Sequence, residues 1–192
     1  MGYDLYWVKP GGEEAATSPQ MTFEDGDSGD AERGDTADPG YFRLNIWAMT
    51  ETLTVMFSAG MITEFRWPRF PKPAAFGLAD EPEHYDSNGD EVIYAPGSPE
   101  ARYVSSYNEV FRRDSGTTIP GFKLGTNDGW LVTPDEIRKS LIAYDRWCGD
   151  NGISSGTALL SEDAGDLVEL QWWDDWIEWL RKAADHGGFY VY

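Results

Sequence analysis

Two histidines, one cysteine and a few closely spaced acids are the side chains of this chain that could do chemistry. His186 stands where an apolar helical pattern ends, and a partial positive charge there complements the helix dipole. General acid–base work is the competing role. His84 sits in Glu81-Pro82-Glu83-His84 and reads as solvated. Two separate histidines and one cysteine do not make a zinc set. Cys148 falls on an apolar helical stripe, where a thiol is ordinarily buried and inert. Asp86, Asn88 and Asp90 put oxygens at the first, third and fifth positions of a calcium-type loop. The sixth position is Glu91 where that loop needs Gly, and the twelfth is Gly97 where it needs Glu. A turn is the expected role, and no metal or cofactor is expected. No glycine-rich phosphate loop, serine elbow or H-E-x-x-H pattern occurs.

A second group is polar. Arg43, Asn45, Asn127, Asp128 and His186 lie near strand ends and turns. Brought together, they would line a pocket suited to an enzyme or a small-ligand binder. The competing reading makes Asn127-Asp128-Gly129 a hairpin loop and Gly187-Gly188 a helix stop.

Charge decides more. The chain has 34 acids against 15 bases, a net −19. Such a chain repels phosphate backbones and anionic membranes, so direct nucleic-acid binding and membrane binding are not expected. A basic partner protein is attracted by the same field. Residues 11–40 carry nine of the acids against one base, Arg33, and their only large apolar residues are Met21 and Phe23. That stretch is expected to be a mobile loop. Within it Glu24, Asp25, Asp27 and Asp30 are the candidate partner contacts.

Elements must position these groups. Aromatic residues are 15% of the chain, ample material for a core. Alternation predicts strands over 3–8 and 41–46, with shorter ones over 91–94 and 189–192. Phe122-Lys123-Leu124 and Trp130-Leu131-Val132 flank a five-residue turn signal and predict a hairpin. Met49, Leu53, Met56 and Phe57 give one face of a helix stopped by Gly60. Ser98-Pro99 starts a second helix. Thr133 with Glu136 reads as a capping box opening a third. Residues 170–185 form the last, with two adjacent apolar lanes that include Trp173, Trp176 and Trp179. The expected fold is α+β: a small, mostly antiparallel sheet packed with about four helices in one domain over 1–192. No apolar run approaches a membrane span and no leader pattern is visible, so a cytoplasmic location is expected.

Four stretches together resemble a known group. They are Gly2-Tyr3-Asp4-Leu5-Tyr6, Tyr41-Phe42-Arg43-Leu44-Asn45-Ile46, Thr126-Asn127-Asp128-Gly129-Trp130-Leu131-Val132-Thr133-Pro134 and His186-Gly187-Gly188-Phe189. The sequence resembles a family of small uncharacterised proteins carried by actinobacteria and their bacteriophages. The resemblance implies such an origin and brings no activity or catalytic residues. The leading expectation is a non-enzymatic, phage-encoded acidic protein that binds another protein. Its sharper form is a nucleic-acid mimic whose carboxylates stand in for phosphates. The alternatives are an enzyme or ligand binder at the polar pocket, and a structural or assembly protein.

Overall fold

The strand-forming alternation at the start of the chain meets its partners at residue 41 and at the C-terminus. The computed structural model describes residues 2–8, 39–154, 159–162 and 166–192, with the backbone alone for 159–162 and 166–169. The strands are β1 (Gly2–Trp7), β2 (Tyr41–Asn45), β3 (Ile62–Thr63), β4 (Ile119–Pro120), β5 (Trp130–Val132), β6 (Leu159–Glu162), β7 (Asp166–Glu169) and β8 (Phe189–Val191). The helices are α1 (Ile46–Ser58), α2 (Pro99–Arg112), the single turn α3 (Gly121–Leu124), α4 (Pro134–Asn151) and α5 (Trp173–Asp185). The fold is α+β.

Its main sheet is antiparallel, in the order β2-β1-β8-β5. Leu5 lies opposite both Phe42 and Val191, and Phe189 lies opposite both Trp7 and Val132. With a side-chain period of two, that register turns Leu5, Leu44, Val132, Phe189 and Val191 to one face. They share a core with Met49, Val55 and Met56 of α1, Ile137, Tyr144 and Cys148 of α4, and Trp173, Trp176, Trp179 and Leu180 of α5.

Local rules explain the helix ends. Ser98 and Thr133 accept from the N–H three residues on, and Pro follows each at the first helical position. The capping box at Thr133 and Glu136 is complete. At the end of α1, Met61 N–H bonds Met56 O and Gly60 N–H bonds Phe57 O, with Gly60 at φ 69°. This is a Schellman stop. After α5, Gly188 has φ 94°, and a Cβ there would lie 2.1 Å from the Val132 carbonyl oxygen. Only glycine lets the chain turn that closely against β5.

The chain divides into two units, Met1–Arg66 with Asp114–Tyr192, and Trp67–Arg113. The sheet and its core belong to the first. The second contains α2, a 3-10 turn at Pro73–Phe76 and an aromatic cluster of Phe70, Phe76, Tyr103, Tyr107 and Phe111.

Three expectations about the elements need correction. Residues 122–124 are helical, and β5 pairs with β8, so the hairpin of 122–124 with 130–132 does not form. Residues 91–94 contribute only an isolated bridge, Tyr85 with Glu91. The last helix begins at Trp173, not 170. A β6–β7 hairpin and a two-residue parallel pairing of β3 with β4 add to the expected strands. The acidic stretch 11–40, with Glu24, Asp25, Asp27 and Asp30, lies outside the described residues except for Pro39 and Gly40.

Candidate functional site

Of the five polar residues singled out above, Arg43, Asn45, Asn127 and His186 have local structural contacts. Asn45 caps α1, its Oδ1 accepting from Ala48 N–H at 2.8 Å. Arg43 Nε stands 3.8 Å from Asp4 across the β1–β2 pair. The same carboxylate accepts from the Tyr41 hydroxyl at 2.5 Å. Burial, then that bond to Asp4, pushes the Tyr41 phenol well above its ordinary range. Asn127 Nδ2 donates to Gly2 O at 2.9 Å. Gly2 is the register partner of Asn45. Arg43, Asn45 and Asn127 therefore gather at the Gly2 end of β1, while Asp128 is exposed.

His186 is elsewhere. Its ring stacks on Trp7, with centroids 4.4 Å apart. Gly2 and Trp7 are the two ends of β1, roughly 17 Å apart at strand rise. The five residues do not converge on one pocket. His186 takes the C-cap position of α5, as its helix-end placement suggested.

The calcium-type loop is a turn. Asp86 Oδ1 accepts from the N–H groups of Asn88 at 2.7 Å and Asp90 at 3.0 Å. Those backbone bonds hold the Asp86 carboxyl below its usual range. Among the described residues, no three His, Cys, Asp or Glu side chains gather as a metal set.

The structure adds a polar centre that sequence reasoning missed. Lys123 and Glu136 are 2% and 0% exposed and form a buried ion pair. Lys123 Nζ donates to both carboxylate oxygens at 2.9 Å and to Leu131 O at 2.7 Å. Glu136 Oε1 also accepts from Ser115 N–H, and Oε2 from Thr133 N–H. Ser140 beside it bridges Ile119 N–H and Met61 O. Burial pulls the Lys123 ammonium down, and Glu136 opposes that pull. Nearby, burial pushes the Asp114 carboxyl up, but bonds from the Thr133 hydroxyl and Gly116 N–H hold it below its ordinary range. All three Lys123 protons have acceptors, so the centre ties α3, β5 and α4 together. The capping box was the one legible sign of Glu136. Lys123 is hidden from sequence reading because Phe122-Lys123-Leu124 alternates as a strand does, whereas it folds as a helical turn.

In the Trp67–Arg113 unit, His84 is not solvated as expected. Its side chain is 22% exposed and its ring centroid lies 4.6 Å from that of Tyr107. Nε2 is out of solvent with no hydrogen-bond partner, and Glu81 Oε1 stands 3.9 Å away. Burial, then a hydrogen bond to Glu81, pushes the Tyr103 phenol up to about 12. This histidine belongs to an aromatic core, which its acidic sequence neighbours concealed.

The remaining candidate is a surface. Helix α1 buries Ala48, Met49, Thr52, Val55 and Met56. Phe57, assigned to the buried face by spacing, is 56% exposed, and Trp47 is 79% exposed. A rotation of about 100° per residue places Ile46, Trp47, Thr50, Thr54, Phe57 and Ser58 within an arc of roughly 120°. No charged residue lies in that arc.

The chain matches no protein-family model, no curated protein and no solved structure.

Proposed function

We propose that this chain is a non-enzymatic interaction protein that binds another protein rich in Lys and Arg. The observation that carries the reading is Trp47. Trp47, 79% exposed on a regular helix, shares one face with Phe57, 56% exposed, in a chain of net charge −19, and that paired aromatic face supports contact with a partner. The charge selects the sign of the partner and hastens its approach.

The mimic form has less support. Asp135, Asp145 and Glu178 on α4 and α5 are paired with Arg138, Lys139, Arg181 and Lys182. Those faces alternate in sign, whereas a phosphate mimic needs an unbroken negative array. The enzyme reading loses its pocket with the separation of His186 from Asn127.

The test is retention from an actinobacterial extract, a source suggested by the family resemblance, on the immobilised full chain. A basic protein should be held at about 0.1 M salt and released near 1 M, where screening is almost complete. Retention of only acidic proteins, or no retention above a blank resin, would refute the reading.

A further inference from the structure

We infer that the outer face of α1 is the anchor of that interaction, and that it seats in a shallow apolar groove rimmed by Lys and Arg on the partner. This rests on the protein-binding reading above and adds the site and the shape of its complement.

Two other exposed apolar side chains of this unit, Phe65 and Ile142, have local explanations. The Phe65 ring packs against the glycines of α3 and its end: a Cβ at Gly125 would be 2.4 Å from it, and one at Gly121 2.8 Å. Ile142 is exposed, but Arg138, Lys139, Asp145 and Arg146 surround it at three and four positions along α4. Among the described helices, α1 is the one whose exposed face pairs two aromatics; its one charge, Glu51, borders that face one turn after Trp47. Trp47 and Phe57 are ten positions apart, about 15 Å along the axis, with Thr50 and Thr54 between them. Trp47, Thr50 and Thr54 fall at i, i+3 and i+7, a spacing that helix-in-groove recognition uses, and Phe57 lies one step of three further on.

The hydroxyls on this face are already satisfied. Thr50 Oγ1 donates to Ile46 O at 2.8 Å, Thr54 Oγ1 to Thr50 O at 2.9 Å, and Ser58 Oγ to Thr54 O at 3.0 Å. Each reaches back one turn. Stripping water from the face therefore leaves these donors paired. The opposite side of α1 is packed on the core, so the groove that receives the helix must be shallow.

Charge chooses the occupant. A second copy would bring another −19 against the first, and like charges at that level oppose association. A membrane surface is disfavoured because the face carries no Lys or Arg to engage headgroups. A partner with a basic rim satisfies both constraints.

The experiment places a photo-crosslinking amino acid in the full chain at position 47 and, separately, at the exposed controls 93 and 142. Each is irradiated in the actinobacterial extract at about 0.1 M and about 1 M salt. A discrete adduct with a basic protein is expected at 47 and not at the controls. Its yield should fall about tenfold or more in Phe57→Ala and at high salt. Adducts at 93 or 142 but not at 47 would overturn the α1 site and leave the protein-binding reading standing. No adduct at any position would overturn both. An adduct between two copies of this chain would overturn the choice of partner. Flotation with phosphatidylcholine vesicles, lost in Trp47→Ala, would replace the protein with lipid.

Discussion

Helices α1 and α5 are both thirteen residues long and both bury one face in the same core, yet they turn opposite side chains outward. On α5 the tryptophans Trp173, Trp176 and Trp179 point inward, while Asp174, Glu178, Arg181, Lys182 and Asp185 face solvent. On α1 the inward face is made of small and medium residues, and the aromatics stay outside. Core packing accounts for every large apolar residue of α5. It does not account for Trp47 or Phe57. The contrast separates aromatic residues that hold the fold from aromatic residues that the fold displays.

The contrast can be broken by substitution. Trp176→Ala on α5 should cost about 3–5 kcal/mol in urea denaturation, because a fully buried indole is removed and a cavity remains. Trp47→Ala on α1 should change stability by less than about 0.5 kcal/mol, as exposed substitutions do. If the two costs were similar, Trp47 would be a core residue and the distinction between the faces would fall.

The two helix ends sharpen the comparison. Gly188→Ala, after α5, forces a Cβ within 2.1 Å of Val132 O in a left-handed conformation and should cost about 2–3 kcal/mol. Gly60→Ala, after α1, meets nothing within 4 Å. Only left-handed strain, about 1–2 kcal/mol, is expected there. Thermal unfolding of the two variants side by side gives the ranking. A larger loss for Gly60→Ala would mean that the end of α1 is held more tightly than its contacts indicate.

The smallest effect belongs to the outer face of α5. Glu178 and Lys182 pair at 2.5 Å, and both are more than half exposed. Glu178→Ala should cost only about 0.3–0.5 kcal/mol, and less as salt is raised. A loss above about 1 kcal/mol would show that the α5 exterior contributes more than an exposed helical pair.

The contrast between the helices was only half legible beforehand. The α5 pattern was plain, since its charges and tryptophans segregate at helical spacing. The α1 pattern was not. It has one charged residue, Glu51, and apolar residues on every side, so periodicity alone assigned Phe57 to the core. Among the candidate site residues, His186 was legible at a helix end, whereas Asn45, read as part of a strand, proves to cap α1. Their assembly into a pocket with Asn127 depended on strand order, and β1 holds the two groups at opposite ends.

What the sequence determined by itself is what a few neighbouring residues can satisfy among themselves. It set the caps at Ser98 and Thr133, the stops at Gly60 and Gly187-Gly188, the strands at 2–7, 41–45 and 189–191, and the acidity of the whole. The caps and stops close hydrogen bonds within about six residues, the strands follow from alternation at period two, and the acidity follows from counting charges. Only the tertiary structure decided that Trp130–Val132 pairs with Phe189–Val191, that Lys123 is buried against Glu136, and that Trp47 stays in water. Each of these depends on which distant segment competes for the same surface, and that outcome is a property of the packed chain.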